Sequence, residues 1–293
     1  MSDFLKKFFV IGIMGAFVLI TLFIASKVFL YNTVTIRYEK PLKYVVVGNS
    51  HPATAFNDSL IPGFLNASRG GEWYLHSYVK LKRILKDNPT IDTVFVELDE
   101  LMMYKKTDRL LWQDNSLGVY YNYNSSFFSL DEEWVIIKNN PIGYILNIPM
   151  NVRVSWTELF VKGKNLAWSP NIFPIDFSFK SNVDSSLIAL ELQKPFRPKQ
   201  EIFNEVNLFY LNKIKALCEG SGIQVVFIRC PVHEAFEGRR YEEQFQEFRA
   251  KYFKNDLFLD FKDFNLLDTD FHDLDHLNRH GANRFTVHFK SNI

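Results

Sequence analysis

Cysteine is scarce. Cys218 and Cys230 are the only two in 293 residues, too few for a disulfide framework and without metal-ligand or redox spacing. Two buried free thiols are the simpler reading, and one disulfide between them the alternative. Net charge is just as scant: 34 basic and 33 acidic residues leave +1, so no basic excess points to nucleic acid. No basic cluster marks a phosphate-binding face, and neither internal repeats nor low-complexity tracts occur. Disorder is excluded by an apolar fraction of 47% and by 29 Phe, which a chain of this length can bury in a substantial core.

What the sequence does have begins at its N-terminus. Phe8 to Ser26 holds no charged residue and is rich in Phe, Ile, Leu and Val. That run matches the ~20 residues a helix needs to cross a bilayer. Lys6 and Lys7 precede it, which predicts an N-terminus inside and the bulk of the chain in the periplasm or exterior. A cleaved signal peptide is the alternative, but the run exceeds the usual ~7–15-residue signal core and Ile24-Ala-Ser26 is a weak cleavage site. Residues 1–30 therefore read as tail and transmembrane anchor, with residues 8–30 meeting the lipid. Residues 31–42 read as a polar linker, and 43–293 as the folded domain.

Within that domain, short β-branched runs alternate with stretches of helical period. Strands are expected at 44–47, 64–68, 93–97, 223–228 and 257–261. Helices are expected at 72–85, 202–219 and 241–253, and from about Asn278 through Phe289. Ala53 to Leu60 is ambiguous. The alternation predicts an α/β fold, a three-layer sandwich around a parallel, flavodoxin-like sheet. Residues of about 105–200 break the pattern. They carry Trp112, Trp134, Trp156 and Trp168 and read as an aromatic-rich insertion with helices of its own, its aromatics serving as packing.

Two segments carry chemistry. Gly48-Asn49-Ser50 leaves the first strand at its carboxyl end, where open α/β sheets place their ligand crevices. Near the C-terminus, Asp273 precedes His276 by three residues. A serine hydroxyl needs a base to take its proton as it attacks; an imidazole does this near neutral pH, and a carboxylate fixes the imidazole's tautomer. Ser50, His276 and Asp273 are thus candidate nucleophile, base and orienter. The amides of Ser50 and of Gly70 or Gly71 are candidate oxyanion donors. Asn49, His51 and Arg69 are weaker candidates for substrate contacts. Competing readings are Ser50 as a helix cap, His272, His276 and His280 as a zinc face, and the aspartates at 268, 270, 273 and 275 as a calcium loop. The intervening Asp-Leu-Asp favours a loop over a zinc-binding helix, and the calcium loop lacks its glycine and glutamate. No metal and no cofactor is expected.

Gly48-Asn49-Ser50 resembles the first block of the SGNH/GDSL hydrolases, and Asp273-Leu-Asp-His276 their last. Asn66-Ala-Ser-Arg-Gly-Gly71 resembles the second, with Gly71 the better match to the oxyanion glycine. The resemblance spans roughly residues 43–100 and 201–290. It departs at the third block, where Val96-Glu97-Leu98-Asp99 stands in place of a Gly-x-Asn-Asp whose Asn donates to the oxyanion; a carboxylate donates only when protonated. With its single anchor, the chain is similar to the SGNH-like proteins of teichoic acid D-alanylation and alginate O-acetylation. Such a resemblance implies a Ser-His-Asp O-acyltransferase or esterase acting on a cell-surface glycan, with a multi-span membrane O-acyltransferase as partner. The alternative is a catalytically degenerate SGNH-fold subunit that binds glycan or a membrane partner in an envelope assembly.

Overall fold

The computed structural model describes residues 2–101, 111–113, 117–167, 179–194 and 205–293. Helix α1 (Ser2–Thr33) carries the uncharged run, and from Asp3 to Leu22 its residues are exposed. Among the described residues it is the one helix long and apolar enough to cross a membrane. Then follow β1 (Tyr44–Val47), α2 (Ser50–Ala55), β2 (Phe64–Asn66), α3 (Tyr74–Asp87) and β3 (Thr93–Glu97). The insertion contributes a π-helical turn at Leu117–Tyr121, a short helical stretch through Phe127, α4 (Leu130–Asn139), α5 (Pro141–Lys162) and α6 (Ser185–Gln193). The chain closes with α7 (Glu205–Glu219), β4 (Gln224–Arg229), α8 (Glu242–Tyr252), β5 (Leu257–Asp260) and α9 (Arg279–Lys290).

The five strands form one all-parallel sheet in the order β2-β1-β3-β4-β5, so the protein is α/β as the alternation predicts. Side chains alternate across a strand, and here both faces are apolar. Val45, Val47, Val94, Val96 and Phe227 point to one layer, where α3, α7 and α8 supply Leu75, Val79, Tyr210, Ile214 and Phe245. Val46, Phe95, Val226 and Ile228 point to the other, against Phe56 after α2 and Phe285 and Phe289 of α9. Strand order reverses between β1 and β3. Ser50 and Asp99 leave the sheet at this switch point, the place where open α/β sheets hold their ligands.

Differences from expectation lie in the connections. The ambiguous stretch after Ser50 resolves into α2 and a 3-10 turn at Asp58–Leu60. Of the helix expected from residue 202, positions 202–204 lie outside the described residues, as does Trp168. Stretch 31–42 is bound to the domain along its length: Val34 and Ile36 are fully buried, Ile36 N–H donates to Asp87 (2.7 Å), and Tyr38 N–H donates to Asn88 (3.0 Å). The Tyr38 hydroxyl donates to the Ala167 carbonyl (2.6 Å). Both cysteines are free and buried, Cys218 on α7 and Cys230 after β4, in separate core layers.

Candidate active site

The turn after β1 is built around one side chain. Asn49 caps α2, and its Oδ1 accepts the Ser50 N–H (2.7 Å) and the Gly71 N–H (2.5 Å). The two amides nominated as oxyanion donors thus converge on one carbonyl oxygen. Gly71 sits at φ +78°, a left-handed conformation that L side chains rarely adopt, and a side chain there would also collide with the Tyr120 hydroxyl. The insertion's π-helical turn therefore presses on the glycine loop. The short helical stretch that follows meets Arg69, whose guanidinium lies 4.6 Å from the centre of the Tyr123 ring. Glu72 fixes the loop from below. Fully buried, it pairs with Lys80 of α3 (2.6 Å) and accepts from Asn124 of the insertion (2.7 Å).

On the same sheet edge, the segment between β5 and α9 carries His276. Its Nδ1 lies 2.9 Å from both carboxylate oxygens of Asp273, and its backbone N–H donates to Asp273 Oδ1 (2.8 Å). A local i, i+3 turn thus holds acid and imidazole together. Half-burial works against charge on Asp273, but the hydrogen bond and charge of His276, with the hydrogen bond from Asp275, hold its carboxyl well below the usual range. When the ring is neutral, pairing with the carboxylate places its one proton on Nδ1 and leaves Nε2 as the acceptor. Nε2 is buried and has no hydrogen-bond partner among the described residues, so Ser50 Oγ is not bonded to it. The two segments nevertheless meet: the ring of His51, next to Ser50, packs on the His276 ring with centroids 5.8 Å apart.

His51 is more deeply embedded than a substrate contact needs to be. It is 3% exposed, with Nδ1 2.8 Å from Asp99 and 3.5 Å from Glu97, and Nε2 3.7 Å from Asp275. Burial opposes its charge, but Asp275, Asp99 and Glu97 outweigh that and raise its pKa well above an ordinary imidazole's. Burial, and then the charge of Asp99, raise the Glu97 carboxyl, while His51 and the Asn49 N–H pull it down. Glu97 and Asp99, which stand where a donor Asn was sought, thus turn toward His51. Sequence spacing does not reveal this cluster, because its members come from three separate segments: α2, the end of β3 and the loop before α9.

The zinc-like spacing of His272, His276 and His280 does not gather these rings at one point. His272 Nδ1 bonds Ser181 (2.6 Å) and His280 Nδ1 bonds Asp270 (2.6 Å). Instead, His51, Asp275 and His276 bring ligand-type atoms within 4.8 Å of one another, as do His51, Glu97 and Asp99. The site therefore combines a serine at a strand end, an Asp-oriented imidazole with a bare acceptor nitrogen, two convergent amides and a buried second imidazole. No protein-family model matches the chain, and no curated protein matches it.

Proposed function

We propose that the protein is a membrane-anchored, SGNH-type acyltransferase or esterase that uses Ser50, His276 and Asp273 on O-acyl groups of a cell-surface or exported glycan. The observation that carries this reading is the Asp273–His276 pair, its Nε2 free to accept a proton, on the sheet edge from which Ser50 emerges. Ser50 Oγ attacks the acyl carbonyl and His276 Nε2 takes the hydroxyl proton as the C–O bond forms. The oxyanion draws the Ser50 and Gly71 amides from Asn49 Oδ1, whose side chain gives way. His276 then returns its proton to the leaving oxygen. A sugar hydroxyl or water, deprotonated by the same nitrogen, resolves the acyl-enzyme. The domain lies outside the cytoplasmic membrane, where a multi-span O-acyltransferase would deliver the acyl group.

A second reading, a non-catalytic glycan- or partner-binding subunit on this scaffold, is favoured by one feature: Glu97 and Asp99 replace the donor amide expected after β3. A fluorophosphonate probe separates the two. Covalent capture by the wild type and none by Ser50→Ala is expected for the enzyme; capture that persists in Ser50→Ala sinks Ser50 as nucleophile.

A further inference from the structure

Helix α5 carries apolar residues on both faces, unlike a helix folded in water. Its outer face carries Ile142, Ile145, Leu146, Met150, Phe160 and Val161, from 45% to 79% exposed. Its inner face packs Ile148, Val152 and Leu159 on the domain core and buries Asn151, Ser155 and Glu158, with Ser155 hydroxyl-bonded to Ser125 (2.9 Å). In water the apolar stripe turns inward because its burial removes hydrocarbon from solvent. A stripe turned outward belongs in an apolar solvent. From Pro141 to Val152 the helix holds no charged residue, and Arg153 then follows on the outer side.

The position of α5 identifies that solvent. Tyr144 packs edge-on against Phe23, which lies inside the uncharged run of α1. Trp156 stacks on Phe29 with centroids 5.6 Å apart and donates its indole N–H to Ser26 (2.6 Å). Tyr144 and Trp156 are about 18 Å apart along α5, while their partners span only about 5–9 Å of α1, at 1.5 Å rise per residue. The two helices therefore cross steeply. If α1 spans the bilayer with the usual tilt of about 20°, α5 lies closer to the membrane plane, level with the last turns of the span.

We infer that α5 is a second membrane element: an in-plane helix sunk into the outer leaflet beside the anchor, its apolar face in the acyl chains near the headgroups and Arg153 among the lipid phosphates. The inference rests on α1 spanning the bilayer and is independent of the acyl chemistry. Leu146→Cys, Leu19→Cys (on α1) and Glu247→Cys (on α8) can each be labelled with the fluorophore NBD in the full chain, since Cys218 and Cys230 are buried. The labelled chains are reconstituted into phosphatidylcholine–phosphatidylglycerol vesicles.

Lipids bearing a nitroxide near the headgroup end of the acyl chain should quench position 146 about twofold or more, as expected for a helix ~5–10 Å deep in the interface. Aqueous iodide should quench 247 but not 146. Iodide quenching at 146 equal to that at 247, with 19 still in lipid, overturns the inference and leaves the anchor standing. Shielding of 146 from both quenchers also overturns it, since protein then covers the face. Iodide access at 19 removes the anchor and the inference together.

Discussion

At the scale of single residues, His51 shows why spacing exposes some chemistry and hides the rest. Asp273 and His276 are three positions apart and pair within one turn, so the sequence alone suggests their partnership. The neighbours of His51 arrive from the end of β3 and from the loop before α9, and only the sheet brings them together. Its charge state is testable. A group whose folded pKa is raised contributes stability that is complete below its unfolded value of about 6.5 and is lost as pH rises through the folded value. His51 faces Glu97, Asp99, Asp275 and His276. His51→Gln should be less stable than wild type near pH 6, and the gap should narrow as pH rises through the folded value. Urea unfolding across that range measures it; a gap indifferent to pH would mean that His51 is held neutral.

At the scale of elements, the strands and their covering helices were legible because each obeys a simple period. Val45-Val46-Val47 alternates between two apolar layers, and α9 places Phe285 and Phe289 on one face. The insertion was legible as helical but not in its facing: α5 turns Ile142, Ile145, Leu146 and Met150 away from the domain, so a rule that assigns such residues to a core points the wrong way for them. Helix α9 also fixes the site. Asn278 caps it, donating to the Thr269 carbonyl and accepting from Gly281 N–H, and Thr286 accepts from Asn57 N–H just after α2. Gly281 lies so close to the Asp270 carbonyl that a methyl group would overlap it. Gly281→Ala should therefore cost about 1–3 kcal/mol as an overpacked contact and slow probe capture by shifting His276. Val287→Ala, on the exposed side of the same helix, should stay within about 0.5 kcal/mol of wild type. Thermal unfolding of the two variants is the check, and equal midpoints would remove the proposed tight seat.

At the scale of the whole molecule, helix α1 and the α/β domain are joined by contact rather than by a leash. Lys27, on the last turns of α1, is buried, stands 2.5 Å from Glu133 of α4 and donates to the Ser125 carbonyl (2.6 Å). Glu133 also accepts from the Tyr121 hydroxyl (2.6 Å). Removing one partner of a buried ion pair leaves the other charge stranded, at a typical cost of about 3–5 kcal/mol, whereas replacing both by apolar groups is often neutral. Glu133→Gln should lower the unfolding midpoint in nanodiscs, and the double change Lys27→Met, Glu133→Leu should recover most of it. If the single variant is as stable as wild type, the junction contributes nothing.

The bonded course of residues 34–38 along the domain has a kinetic corollary. With no slack between α1 and the sheet, Ser50 would keep one altitude above any bilayer that α1 spans and could not sweep the space around it. For the proposed membrane-anchored enzyme, encounters with its glycan would then be set by two-dimensional diffusion along the membrane. Lengthening the tether would widen the volume searched only at the expense of that fixed altitude.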